Sequence, residues 1–209
     1  MRRFMVIPMA GLLVLAAAAP VAAGPNVSNN SGSLTVAEAY WESSDGGNES
    51  FGWVSVRREG RAEAFAELYS SEGEYVLCVD LPGEEDDYYG FVGTSTFGYG
   101  AATLVVGSNN STAAATATLT AYTDSIDECN GIWEGGPESM VDVSFDLIAT
   151  SGTIKVSGRE SFHLPKEFND RYSYRASYRL AEGSVAVYGV EMDAYGQIGK
   201  VSWSSHSNS

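Results

Sequence analysis

Residues Thr112–Tyr122 read TAAATATLTAY, and the alternation in that stretch decides the fold class. Ala113, Ala115, Ala117, Leu119 and Ala121 occupy every second position, with Thr116, Thr118 and Thr120 between them. A period of two puts one set on each face of a β-strand, so one face is apolar and the other hydroxylated. Val141–Ala149 repeats the device, with Val143, Phe145 and Leu147 set against Asp142, Ser144 and Asp146. Arg61–Tyr69 does so with Ala62, Ala64, Ala66 and Leu68, although its alanines and glutamates also suit a helix. No segment sustains an apolar period of 3.6 residues.

Outward from these stretches, short alternating runs broken by Gly, Asn, Asp and Ser clusters continue from Leu34 to Trp203. They predict an all-β, antiparallel β-sandwich of about a dozen strands over 34–203. Turns are expected at Glu59-Gly60, Ser151-Gly152 and Glu182-Gly183, where glycine supplies positive φ. The longest stretch without a strand pattern is 124–139, which carries Cys129, Trp133 and Pro137. It marks either the boundary between two tandem sandwich lobes or a long crossing loop within one domain. One domain is preferred, because the second part alone would supply only about five strands. Residues 24–33 read as a flexible lead-in and 204–209 as a polar tail.

Met1–Arg3 set two cations before an apolar run from Phe4 to Ala19, and small side chains follow at Val21 and Ala23. This is the pattern of a secretory signal peptide over 1–23, too short for a membrane span, with cleavage expected before Gly24. A lipid anchor would need cysteine as the first mature residue, and none occurs before Cys78. The expected product is a secreted chain, extracellular or periplasmic, with no membrane span. Its two cysteines, Cys78 and Cys129, are expected to form one disulfide that pins a loop to a strand.

The 27 acidic residues outweigh 12 lysines and arginines, for a formal charge of −15, and Arg2 and Arg3 would leave with the signal. Such a balance argues against nucleic acid as a partner and for solubility by self-repulsion, including in high salt. Catalytic patterns are sparse: His163 and His206 are the only histidines, and neither GxSxG nor SxxK occurs. The enzymatic alternative is a carboxylate glycosidase, for which Glu160 and Glu191 share strand faces with Phe162 and Val187.

Three other constellations suit binding. Glu84, Glu85, Asp86 and Asp87 crowd one loop, and Asp124, Asp127 and Glu128 crowd beside Cys129. Oxygen clusters of this kind fit Ca²⁺, although neither matches an EF-hand and no cofactor is required. Trp133 and the pair Tyr88 and Tyr89 offer flat faces for sugar rings, whereas Trp41 and Trp53 are expected in the core. Arg171, Arg175 and Arg179 alternate with Tyr172, Tyr174 and Tyr178, predicting an arginine stripe. The stripe is expected to pair with carboxylates such as Glu63 and Glu67, or else to hold an acidic polysaccharide. Together these features point to a secreted, non-catalytic protein that binds an extracellular carbohydrate or cell-envelope component. The non-binding alternative is a structural exported protein without a ligand.

Overall fold

The computed structural model describes residues 27–45, 47–78, 88–164 and 168–208. The expected signal peptide and the acidic loop Glu84–Asp87 lie outside the described residues. Nine strands account for nearly all of them: β1 (Val27–Asp45), β2 (Asn48–Glu59), β3 (Ala64–Cys78), β4 (Tyr88–Val106), β5 (Thr112–Asp127), β6 (Ile132–Ala149), β7 (Ile154–Leu164), β8 (Phe168–Val187) and β9 (Val190–Asn208). All neighbours pair antiparallel, in the order β6-β5-β4-β3-β2-β1-β9-β8-β7.

One further pairing changes the architecture. Val143–Ala149 of β6 also pairs with Ala181–Val187 of β8, which joins one end of the sheet to its penultimate strand and closes eight strands into a ring. The strands therefore form one closed, up-and-down barrel rather than two sheets packed face to face, and the sandwich expectation is corrected accordingly. An alternating strand has one buried face in either architecture, so periodicity does not separate them. The expected turn at Glu182-Gly183 lies inside β8, at this seam. A Cβ on Gly183 would stand 1.9 Å from the carbonyl oxygen of Asp146, so glycine is what lets the two strands approach. Strand runs also merge elsewhere. Residues 124–139 are the β5–β6 hairpin, 27–33 belong to β1, and 204–208 belong to β9.

The lumen holds a single apolar core. Ala37 and Ala39 of β1, Val54 and Val56 of β2, Ala66 and Leu68 of β3, and Leu119 of β5 point inward. They meet Val141, Phe145 and Leu147 of β6, Val185 of β8 and Ile198 of β9. Small alanines on some walls leave room for leucine and phenylalanine from others, as the width of an eight-stranded barrel demands. Trp41 is buried as expected and lies across Gly52. Trp53 instead faces outward and stacks on Tyr69 at 6.5 Å between ring centroids.

The strands are longer than the barrel. At one end β2 stops at Glu59 opposite Leu34, while β1, β9, β8 and β7 run on together. β7 continues the line of β6 along β8, the link being held by Thr150 and Ser151 N–H groups donating to the carbonyl of Leu180. At the other end β2 begins opposite Glu74 and β8 ends opposite Val143, while β3, β4, β5 and β6 continue. Each end thus bears a four-stranded half-wall, β7, β8, β9 and β1 at one end and β3, β4, β5 and β6 at the other. The Cys78–Cys129 disulfide, with Cα atoms 5.2 Å apart, staples the β3–β6 half-wall near its tip. A disulfide is compatible with an oxidising compartment. Among the described residues no helix is long and apolar enough to cross a membrane.

Candidate functional site

The β7–β8–β9–β1 half-wall has two different faces, and the register shows how they arise. Alternation continues without a bulge from the core into the extension. The face continuous with the lumen carries Lys155, Ser157, Arg159 and Ser161 on β7, and Ser177, Arg175, Ser173 and Arg171 on β8. It goes on with Lys200, Ser202, Ser204 and His206 on β9, and Thr35, Ser33 and Ser31 on β1. Arg175 stands between Ser157 and Ser202, and Ser173 between Arg159 and Ser204, so hydroxyls separate the cations. The Ser173 and Ser204 hydroxyls lie 2.8 Å apart, as residues sharing one face must. Among the described residues this face bears no carboxylate and no Phe, Tyr or Trp.

Most of these side chains are exposed, Lys155, Arg159, Arg171, Arg175 and Lys200 included. At the floor, where the half-wall meets the barrel, Arg58 stands opposite Thr35. Its Nη1 donates to the carbonyl of Leu104 at 2.7 Å, and its buried Nε has no partner among the described residues. The expected pairing of the stripe with Glu63 and Glu67 does not occur, because β8 borders β6, β7 and β9 rather than β3. Glu67 is instead bridged to Arg57 on β2, 2.5 Å away. Arg179 also separates from the stripe. Its Nε donates to the carbonyl of Ser151 at 2.7 Å, which pins the β6–β7 link. Arg171 and Arg175 remain with Lys155, Arg159 and Lys200 as a face of exposed cations.

The opposite face of the same half-wall is apolar and aromatic. Ile154, Val156, Tyr174, Ala176, Val201 and Trp203 cover one another, with Tyr174 across Gly158 and Trp203 across Gly32. Tyr172 lies on this side, and burial followed by the charge of Glu160 raises its pKa. The aromatics therefore stiffen the sheet from behind and leave the cationic face to solvent.

The other expected binding residues lie at the far end. Trp133 is 68% exposed on the outer face of the β3–β6 half-wall, its indole N–H donating to Asp124 at 3.1 Å. Tyr89 is 70% exposed, and the Tyr88 hydroxyl donates to the carbonyl of Glu128. These residues and the arginines cannot share one ligand site, since the barrel stands between them. The three described carboxylates of the calcium reading also diverge. Asp124 faces outward with Trp133, Asp127 faces inward and accepts from Asn130, and Glu128 accepts the N–H of Phe91 at 2.8 Å. Among the described residues no cluster of three metal-ligating side chains occurs. The inner face of this half-wall carries Glu72, Glu74, Asp127 and Glu134, with no cation among them.

Glu160 pairs with Tyr172 and Glu191 with Ala186, near opposite ends of β8. That is about 45 Å along the strand at 3.3 Å per residue, far beyond the separation of a glycosidase pair. His206 lies on the cationic face in β9 rather than in a tail, and the side chain of His163 falls outside the described residues.

Two features escaped the sequence reading. Tyr195, Tyr40, Trp53, Tyr69, Phe97 and Tyr122 stand directly opposite one another across six strands, forming an outer aromatic row. Within it Tyr40 stacks on Tyr195 at 5.8 Å and Trp53 on Tyr69, so these pairs stabilise the wall by cross-strand contact. Beside it Glu38 accepts hydrogen bonds from Tyr40, Ser55 and Gln197. The second feature is the complete cationic face, because Lys155, Arg159 and Lys200 lie far from the arginine stripe in sequence and join it only through pairing. Alternating Lys/Arg and Ser in Lys155–Ser161 was the available signal. No protein family, curated protein or solved structure matches this chain.

Proposed function

We propose that the chain is an exported, non-catalytic binding protein whose cationic, hydroxyl-rich half-wall holds an acidic polysaccharide or another anionic cell-envelope polymer. The observation that carries this reading is the face itself, whose described residues include five exposed cations spaced by serines and no carboxylate, on a chain with 27 acidic residues. Random placement in so acidic a protein would scatter carboxylates among them. Guanidinium groups suit carboxylate, sulfate or phosphate groups, and serine and threonine hydroxyls suit the hydroxyls of a sugar backbone. With no Phe, Tyr or Trp among the described residues of the face, nucleobases would find little stacking platform, which favours a polysaccharide over nucleic acid. A lattice that spans four strands and runs several rows along them fits a linear polymer better than a small molecule.

The test is retention of purified residues 24–209 on immobilised dextran sulfate and a polyuronate, against unsubstituted dextran, with calcium or with chelator. Retention by the two anionic polymers alone is expected, with loss in Arg159→Ser/Arg175→Ser and no loss in Trp133→Ala. Equal retention on neutral dextran, or an unchanged double variant, would overturn the reading. Loss with chelator would point to a metal in the Glu84–Asp87 loop.

A further inference from the structure

We infer that the cationic half-wall of one copy also docks against the acidic half-wall of a second copy, so that the barrels stack head to tail. The inference rests on the reading of this face as an anion-binding surface and names a protein partner that competes with the polymer for it.

Shape supplies the first argument. The cationic half-wall is four strands wide and rises from the β7–β1 side, while the acidic one is four strands wide and rises from the β3–β6 side. Stacking two copies along the barrel axis, with one copy turned about that axis, sets the two half-walls across the lumen from each other, four strands against four. Across such a lumen opposite walls are separated by the reach of inward side chains. Long arginines and lysines from one side therefore meet glutamates from the other.

Charge supplies the second argument. Arg159, Arg171 and Arg175 would face Glu72, Glu74 and Glu134, and neither inner face carries a charge of the opposite sign among the described residues. The overall negative charge opposes association at long range, but at about 0.15 M salt the Debye length is about 8 Å. Facing side chains then attract while the bodies of the two copies are screened from each other. Backbone pairing supplies the third argument. Among the described residues β7 has no strand partner on the side away from β8, and β6 has none over Ile132–Met140 on the side away from β5. Such edges are receptive to strands of another chain. Because the two faces differ, the contact is heterologous and does not close on itself, so open-ended stacks rather than dimers follow.

Sedimentation velocity of residues 24–209 at rising concentration in 0.15 M salt tests the inference. The unaltered chain is expected to form a concentration-dependent series without a fixed size. Glu72→Lys/Glu74→Lys and Arg159→Glu/Arg175→Glu are each expected to be monomeric alone. Mixed in equal amounts, they should assemble again as alternating stacks, since the intact half-walls pair with each other and the reversed half-walls form a charge-swapped pair; that recovery also shows that both variants are folded. Dextran sulfate should dissolve the stacks of the unaltered chain. A chain that stays monomeric while still retained on dextran sulfate would sink the stacking and leave the polymer reading intact. Stacks that form without any binding of dextran sulfate would do the reverse. Stacks unaffected by either pair of substitutions would place the contact elsewhere and overturn the inference.

Discussion

The cationic face predicts a definite salt dependence of polymer binding. Lys155, Arg159, Arg171, Arg175 and Lys200 are the exposed cations that an extended polyanion would neutralise together. For a single-stranded polyelectrolyte each neutralised charge contributes about −0.7 to the slope of log K against log salt. Five contacts give a slope of about −3.5, so that raising salt from about 50 to about 200 mM weakens binding about 100-fold. Removing two cations as Arg159→Ser/Arg175→Ser leaves three contacts, a slope of about −2 and a loss of about 20-fold over the same range. The assay is a fluorescence titration with dextran sulfate at four salt concentrations, using tryptophan emission or a labelled polymer. A slope near zero would mean that the cations do not meet the polymer. The same slope in both proteins would mean that the polymer sits elsewhere, and either result refutes the reasoning.

Further outcomes follow from the fold. Replacing Cys78 and Cys129 by serine releases a crosslink between residues 51 apart in sequence and should cost about 4 kcal/mol in urea unfolding, less any strain. Polymer binding by the folded fraction should survive, because the disulfide lies at the other end of the barrel. Gly183→Val should part the β6–β8 seam and lower stability by more than the roughly 1 kcal/mol that glycine replacement gains in an unstrained strand; an unchanged urea midpoint would refute the seam argument. Burial, and then the Glu38 carboxylate, raise the pKa of Tyr40, whereas hydrogen bonds to Tyr99 and Glu138 push Tyr122 up to about 12. A tyrosine that holds its proton more tightly when folded contributes stability present below about pH 10 and lost as pH rises beyond it. Urea stability should therefore be level approaching pH 10 and fall above it, and Tyr40→Phe should flatten that fall.

Much of the site could be read locally, and its meaning could not. The alternation in Asp170–Leu180 separates arginines from tyrosines by itself, and the structure keeps them on opposite faces of β8. The two-face reading of Thr112–Tyr122 also holds, with Ala113, Ala115, Leu119 and Ala121 in the core. The Cys78–Cys129 bond required only that two cysteines meet in an oxidised chain. Trp53 was misplaced because its parity within β2 is opposite to that of Val54 and Val56, which fill the lumen, and hydrophobicity outweighed position.

What the sequence determined was the strand habit, the two-sided chemistry of each strand and the sign of each face, because side-chain alternation is a property of a few consecutive residues. What only the tertiary structure decided was which strands are neighbours. Closure depends on Gly183 meeting Asp146 across the β6–β8 seam, and the cationic face depends on β7, β8 and β9 lying side by side in register. Those are contacts between residues far apart in the chain, chosen by the packing of one shared lumen, and a period of two is the same whichever partner a strand finds.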